Sequence, residues 1–369
     1  MLAAREPIQR PKDAKLLAIA AAGHMTHYSR SALVGLLRPG DLVIANDAAT
    51  IPASLAGIHL PTAAPIEVRL AGRPSLRPDE VHRFSAVVFG PGDWRTRTED
   101  RAPPPLLLRG DRLVLGPLSA TIEAGLGHPR FVLVAFDGST DAIWAGIARH
   151  GRPIQYAHLR QALELWDSWT KIANRPAAFE APSAGFALDW QLLADLSAKG
   201  IGFATLTHAA GISSTGDEAL DARLPFDEPY VIPPGTVAAI ARAKAEGGRV
   251  IAIGTTVVRA LEHAAGRNGR LEPGEGIATG RIGPATPLRI VDAILSGVHE
   301  AGTSHFELLR AFAADEILDA ADHALNARGY RTHEFGDSIF LEKSSPRSSR
   351  HPVITRSALV AAGFLSPRK

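Results

Sequence analysis

RVIAIGTTVVRALE, residues Arg249 to Glu262, reads as a buried strand that runs straight into the N-terminus of a helix. Val250, Ile251 and Ile253 supply a short apolar run, the pattern of a strand covered on both faces. Gly254 lets the backbone turn tightly. Thr255 or Thr256 can then cap the helix by accepting from a free backbone N–H, and Val257 to Glu262 continue it. Such a junction favours an anion, because unpaired amides and the positive end of the helix dipole both face it. Arg259, about one turn further along, adds a guanidinium suited to bidentate contact with a carboxylate or phosphate. The same residues also fit a purely structural turn with threonine caps and a surface arginine, and the segment alone does not choose between the two.

Outward from this segment, strand and helix patterns alternate on both sides. Upstream, Asp189 caps a helix through Lys199, Gly200 stops it, and IGFATLTH forms a strand ending at His208; Thr236 caps a further helix that ends at Gly247 and Gly248. Downstream, helices are expected over roughly 304–313 and 315–327, before a last strand, SIFLE. Near the N-terminus LLAIA and DLVIAND read as strands, with a short amphipathic helix from Ser31 to Leu37 between them. From about Pro65 to Asp137 the texture is different. IEVRL, FSAVVF, PLLLRG, RLVLG, SATIEA and RFVLVAF are short strand-like runs separated by Gly, Pro and Asp turns, as in a small barrel or sandwich. The expected fold class is therefore α/β: a layered α/β domain, residues 1–64 and 138–369, with an inserted all-β barrel-like domain at 65–137. There is no internal repeat, and only the tail SSPRSSRHP is low in complexity.

Composition narrows the function classes. The chain has 369 residues, 46% of them hydrophobic, enough for a sizeable core. No apolar run is long enough to span a membrane, and the N-terminus MLAAREPIQRPKDAK lacks the apolar centre of a signal peptide. A cytoplasmic location is the expectation. With no cysteine, there are neither disulfides nor thiolate chemistry, and any metal would depend on His and carboxylates; no His pair is spaced for one, so no metal is expected. The net charge of +2 permits an anionic partner without demanding one.

Polar residues collect at the ends of the expected strands, where open α/β sheets bind ligands. Asn46 and Asp47 follow DLVIA, His208 follows IGFATLT, and Gly254 to Thr256 follow RVIAI. APSAG, from Ala181 to Gly185, contributes Pro182, Ser183 and Gly185, small residues that let amides approach a ligand. SGVHEAGTSH, from Ser296 to His305, carries His299 and His305 ahead of a helix. Each residue alone also fits a turn former or a satisfied structural histidine. Together they point to one cleft. They do not name a reaction, since there is no nucleophile elbow, Walker sequence or carboxylate dyad.

Taken in order, PGDLVIANDAATIPASLAG, APSAG, RVIAIGTTVVRALE, RIVDAILSGVHEAGTS and YRTHEFGDSIFLE resemble the signature segments of the S-adenosylmethionine:tRNA ribosyltransferase-isomerase family of queuosine biosynthesis, from about residue 13 to about residue 343. The resemblance implies an α/β domain with an inserted β-barrel. It also implies an enzyme that uses S-adenosylmethionine as a substrate and tRNA as its partner. The ribosyl group passes to the aminomethyl group of a deazaguanine in tRNA and is isomerised, with adenine and methionine released. On the matching positions it implies Gly254, Thr255, Thr256 and Arg259 as anchors for an anionic group. Asn46 and Asp47 would hold ribose or adenine edges, with Pro182, Ser183 and Gly185 beside the cofactor. His299 is the preferred acid or base, followed by His208 and Asp47. The chain departs from the family pattern at polar positions: Ala49 and Ser54 stand where the family has arginines, Gly185-Phe186-Ala187-Leu188 replaces a phrase with histidine, and Leu224 to Glu228 replaces a histidine-rich stretch. Three readings follow: the family reaction itself, a paralogue using S-adenosylmethionine with another acceptor or none, and a non-catalytic binding protein on the same scaffold.

Overall fold

A computed structural model describes residues 1–11 and 13–344; the low-complexity tail, from Ser345 onward, lies outside the described residues. Val250–Ile253 is a strand at the middle of a nine-stranded sheet. The sheet order by residues is 274–278, 228–232, 202–208, 42–46, 250–253, 293–297, 338–342, 15–19 and 25–29. The four strands 202–208, 42–46, 250–253 and 293–297 run parallel, with Gly202 and Val250 both opposite Leu42. The flanking strands 228–232 and 338–342 run antiparallel to them. All four residues of Val250–Ile253 are buried, as a central strand covered by helices on both faces requires.

Alternation along that strand sorts the core into two layers. Val250 and Ala252 pack with Leu42, Ile44 and Ile294 against the helices Pro234–Ala245, Thr255–Asn268 and Asp315–Ala327. Ile251 and Ile253 point the other way, with Val43 and Leu295, onto Leu192 and Leu196 of the helix Trp190–Ala198. Each buried aliphatic side chain contributes about 1.5–3 kcal/mol. The helix 190–198 begins as read from sequence, with the Asp189 carboxylate accepting from Leu192 N at 2.7 Å.

Polar residues at both ends of the Arg249–Glu262 segment brace this sheet. The Arg249 guanidinium donates to Asp41 at 2.6 Å and to Glu342, tying together the ends of strands 42–46, 250–253 and 338–342, the last of which lies one strand away across 293–297. Burial alone would raise the proton affinity of Asp41, but hydrogen bonds from Arg249 and Arg38 outweigh it and hold the carboxyl below its usual range. Glu262, 5% exposed, accepts three backbone N–H groups, from Arg289 at 2.7 Å and from Ile290 and Val291 at 2.9 Å each. Replacing it by Ala strands these amides, and we expect Glu262→Ala to lower unfolding free energy by about 3 kcal/mol in urea titration. A change below 0.5 kcal/mol would mean that water takes over the carboxylate's role.

The all-β texture corresponds to a closed six-stranded antiparallel barrel ordered 118–128, 131–136, 83–89, 64–72, 54–59 and 112–115, in which five of the six expected runs are strands and PLLLRG is not. It takes in Ser54–His59, ahead of residue 65, because Ser54 to His59 pair in register with Arg69 to Ala64. The alternation there is interrupted by Gly57 and by half-exposed positions, which hides the strand in the sequence. On the outer face of the barrel wall, Glu67 accepts from Ser54 and from Arg69, both at 2.7 Å, and also from Arg101. The apolar core of the barrel continues into the α/β layers through Ala177, Phe179 and Ala209. Phe84 of the barrel meets Phe179 edge to face at 6.2 Å, and Phe131 stacks on Phe226 at 4.3 Å.

Two expected caps are corrected. Neither Thr255 nor Thr256 caps the helix that begins at Thr255: the cap position belongs to Gly254, at φ +93°, and no side chain closes it. Thr236 lies within its helix, which starts at Pro234 after Pro233, and donates instead to Thr205 O at 2.6 Å.

Candidate active site

The carboxyl ends of the parallel strands open onto two joined cavities. The inner one, of about 90 Å³, is walled by Pro182 and Ser183, by Gly254, Thr255 and Thr256, and by His299. Gly254 earns its place twice: its φ of +93° suits glycine, and a Cβ there would press on the Ala184 Cβ at 3.3 Å. The uncapped first turn of the helix Thr255–Asn268 therefore reaches this cavity with its amides free of side-chain competition. The outer cavity, of about 580 Å³, runs from the barrel turn Arg97–Glu99 to Tyr156, His158, Glu180, His299 and Glu334. Its volume lies in the range of small-molecule sites. Glu180, Ser183, Ser213, His299 and His305 line both.

Glu180 is the best-placed group for moving a proton. Its carboxyl accepts the Tyr156 hydroxyl at 2.5 Å and the Ser213 amide at 3.1 Å. Burial, opposed by these hydrogen bonds and reinforced by nearby Glu334, pushes its pKa up to about 7. Tyr156 in turn accepts from the Ser214 amide at 3.2 Å, and burial together with Glu180 raises its pKa well above the phenol range. Opposite, His299 stacks on His305 with ring centroids 4.3 Å apart. Burial, with His305 and His333 adding to it, drops the His299 pKa well below the usual imidazole range, so its ring is neutral at physiological pH.

Several residues read from the sequence take other places. Asn46 bridges two strand ends: its amide donates to His208 O at 2.9 Å and to Thr256 Oγ1 at 3.3 Å, while its oxygen accepts from the amides of His208 and Ala48. No atom remains for a ribose edge. Asp47 is likewise occupied, accepting Thr207 at 2.6 Å and Thr205 at 3.1 Å, and it does not line either cavity. His208 is fully buried behind the wall, its Nε2 3.4 Å from Glu228, with its pKa pressed far down by burial and by Arg259. Gly185 is set back from the cavities, against Thr170.

Arg259 borders the inner cavity with both terminal nitrogens engaged by the protein and its Nε without a partner among the described residues. It pairs with buried Glu228 and donates to the carbonyls of Phe226 and Ala278 at 2.8 Å and of Gly280 at 3.1 Å. Instead of anchoring an anion directly, it fixes the segment that includes Phe226 and Glu228. Pro182, Ser183, Gly254, Thr255, Thr256 and His299 are the sequence candidates that the fold brings together.

Sequence reasoning passed over Glu180, Tyr156, His158, His333 and Glu334. Glu180 sits immediately before APSAG, and His333 and Glu334 fall inside the segment YRTHEFGDSIFLE. For Glu180, His333 and Glu334 the available signal was that they stand beside small-residue or glycine turns; Tyr156 and His158 carry no such local mark.

The chain matches the family described as "Queuosine biosynthesis protein" over residues 1–341. It is 35% identical over 367 residues to an S-adenosylmethionine:tRNA ribosyltransferase-isomerase of Methylobacterium sp. (strain 4-46), an alignment covering 94% of this chain and 96% of that one. A protein of the same description from Anaeromyxobacter dehalogenans (strain 2CP-C) is 33% identical over 350 residues, covering 92% and 95%. A solved structure of an S-adenosylmethionine tRNA ribosyltransferase from Thermotoga maritima is similar at 23% identity and a TM-score of 0.49, covering 92% of this chain and 96% of that one.

Proposed function

The chain belongs to the family of queuosine biosynthesis proteins, and on that premise we propose that it is an S-adenosylmethionine-dependent tRNA ribosyltransferase-isomerase. It transfers the ribosyl group of S-adenosylmethionine to an aminomethyl-deazaguanine in tRNA and releases adenine and methionine. The observation that carries this reading is the family match over residues 1–341, and the two-chambered cleft supports it by bringing Glu180 and His299 to one space.

The chemistry needs an anion anchor, a base and an acid. A sulfonium acidifies the adjacent carbon, so a base removes a proton there, and adenine departs more readily when a donor supports its nitrogen. In this reading the amides after Gly254, with the Ser183 and Thr255 hydroxyls, hold the methionine carboxylate in the inner cavity. Glu180 is the base: at neutral pH it is close to half ionised, and it sits where the two cavities meet. His299, neutral, donates a hydrogen bond toward the leaving base. The outer cavity, bounded by the Arg97–Glu99 turn, receives the nucleobase of the tRNA. Among the described residues no helix is long and apolar enough to cross a membrane.

Incubating the protein with S-adenosylmethionine, with and without tRNA bearing the deazaguanine precursor, and following adenine and methionine by mass spectrometry tests this. Release that depends on tRNA is the expected result. Release without tRNA would instead identify a small-molecule acceptor or simple cleavage, and no release would leave a binding protein.

His299→Ala is expected to fold, to keep its affinity for S-adenosylmethionine, and to turn over about tenfold more slowly, the effect of one lost hydrogen bond of about 1.4 kcal/mol. Unchanged adenine release by that variant would remove His299 from the reaction.

A further inference from the structure

We propose that His158, His333 and Glu334 form a binding site for a divalent transition-metal ion on the wall of the outer cavity, independently of the reaction assigned above. One ligand atom from each of the three lies within 4.8 Å of the others. His158 Nε2 is 3.2 Å from Glu334 Oε2, and the two imidazoles lie nearly parallel, with centroids 4.4 Å apart and planes 14° from each other. An ordinary histidine–carboxylate ion pair accounts for His158 alone. It leaves a second imidazole, that of His333, with a ligand atom within 4.8 Å of the same pair.

The backbone supports this arrangement. His333 has φ +69°, a conformation unfavourable for a residue with a side chain, and its turn is closed by Gly336 N donating to His333 O at 3.0 Å. A Cβ at position 336 would lie 2.4 Å from Arg331 O, so the turn that projects His333 and Glu334 requires glycine there. On the other side Tyr156 stacks on His158 at 6.2 Å and 12°, completing a row of three parallel rings. The Glu300 carboxylate stands 4.0 Å from His333 Nε2, within reach as an additional oxygen.

Two imidazoles and one carboxylate suit zinc, iron(II), cobalt(II) or nickel(II) rather than magnesium or calcium. Tetrahedral ligation at about 2.1 Å sets ligand atoms about 3.4 Å apart, and because each imidazole ligates in its own plane, His333 must rotate out of its stack on His158 for both rings to reach one ion. Three protein ligands leave a coordination position open toward the cavity.

The full-length protein, stripped with a chelator and dialysed, is titrated with zinc chloride by calorimetry and with cobalt(II) by visible absorption. One metal per chain is expected, with the d–d bands of cobalt bound to nitrogen and oxygen. His158→Ala and His333→Ala, each checked for folding by circular dichroism, should weaken zinc binding by at least about 100-fold. His263→Ala, outside the cavity, should bind as wild type. Absence of binding by the wild-type chain, or equal binding by both ligand variants, overturns the site; should His333→Ala unfold, His158→Ala alone decides.

Discussion

Glu180→Gln lowers adenine release by at least about 100-fold and abolishes the part of the pH–rate profile centred near pH 7. The amide keeps the shape of the side chain and still accepts from Tyr156 and Ser213, so the fold around the cleft is preserved while the proton acceptor is lost. The same variant has a signature in stability. Because the folded-state pKa of Glu180 is raised to about 7 from the usual value near 4.5, its contribution is fully present below the unfolded value and is lost as pH rises through about 7. Melting temperatures of wild type should therefore fall from pH 5 to pH 7 relative to those of Glu180→Gln. If the variant retains wild-type turnover, with an unchanged profile, the proton is moved by another group.

Arg259→Ala should be the most destabilising single change in the Arg249–Glu262 segment, at about 3–5 kcal/mol, because it leaves the buried Glu228 carboxylate without its cation and three carbonyls without their donor. Burial already raises the proton affinity of Glu228, and without Arg259 it rises further. Denaturant unfolding measures this directly, and Arg259→Lys should recover only part of the loss, since an ammonium cannot reproduce the planar fork. A variant as stable as wild type, with S-adenosylmethionine affinity reduced tenfold or more, would restore Arg259 to the role of ligand anchor.

The layered α/β architecture with its barrel was legible because hydrophobic period and turn chemistry are local. Val250 to Ile253, the Asp189 cap and the apolar run through Phe84 to Phe89 each carry their signal within a few residues. Polar roles were less legible because they are settled by partners far along the chain. Asn46 and Asp47 stand at a strand end, as ligand contacts do, yet Asn46 is satisfied by His208, Ala48 and Thr256, and Asp47 is held by Thr205 and Thr207 away from both cavities. Arg259 lies one turn from an anion site by spacing, but Glu228 turns it inward. His158 and Glu334 meet from opposite halves of the chain, a pairing that no local spacing encodes.

The edge-to-face meeting of Phe84 with Phe179 makes the inserted barrel a mechanical support for the proton acceptor, because Phe179 precedes Glu180 and its ring is sunk in the barrel's interior. The barrel is thus no hinged lid that swings clear to admit substrate. It should melt with the sheet in a single calorimetric transition. Phe84→Ala, at a residue that lines neither cavity, should propagate its cavity into Glu180 and blunt the pH response of turnover before it unfolds the chain.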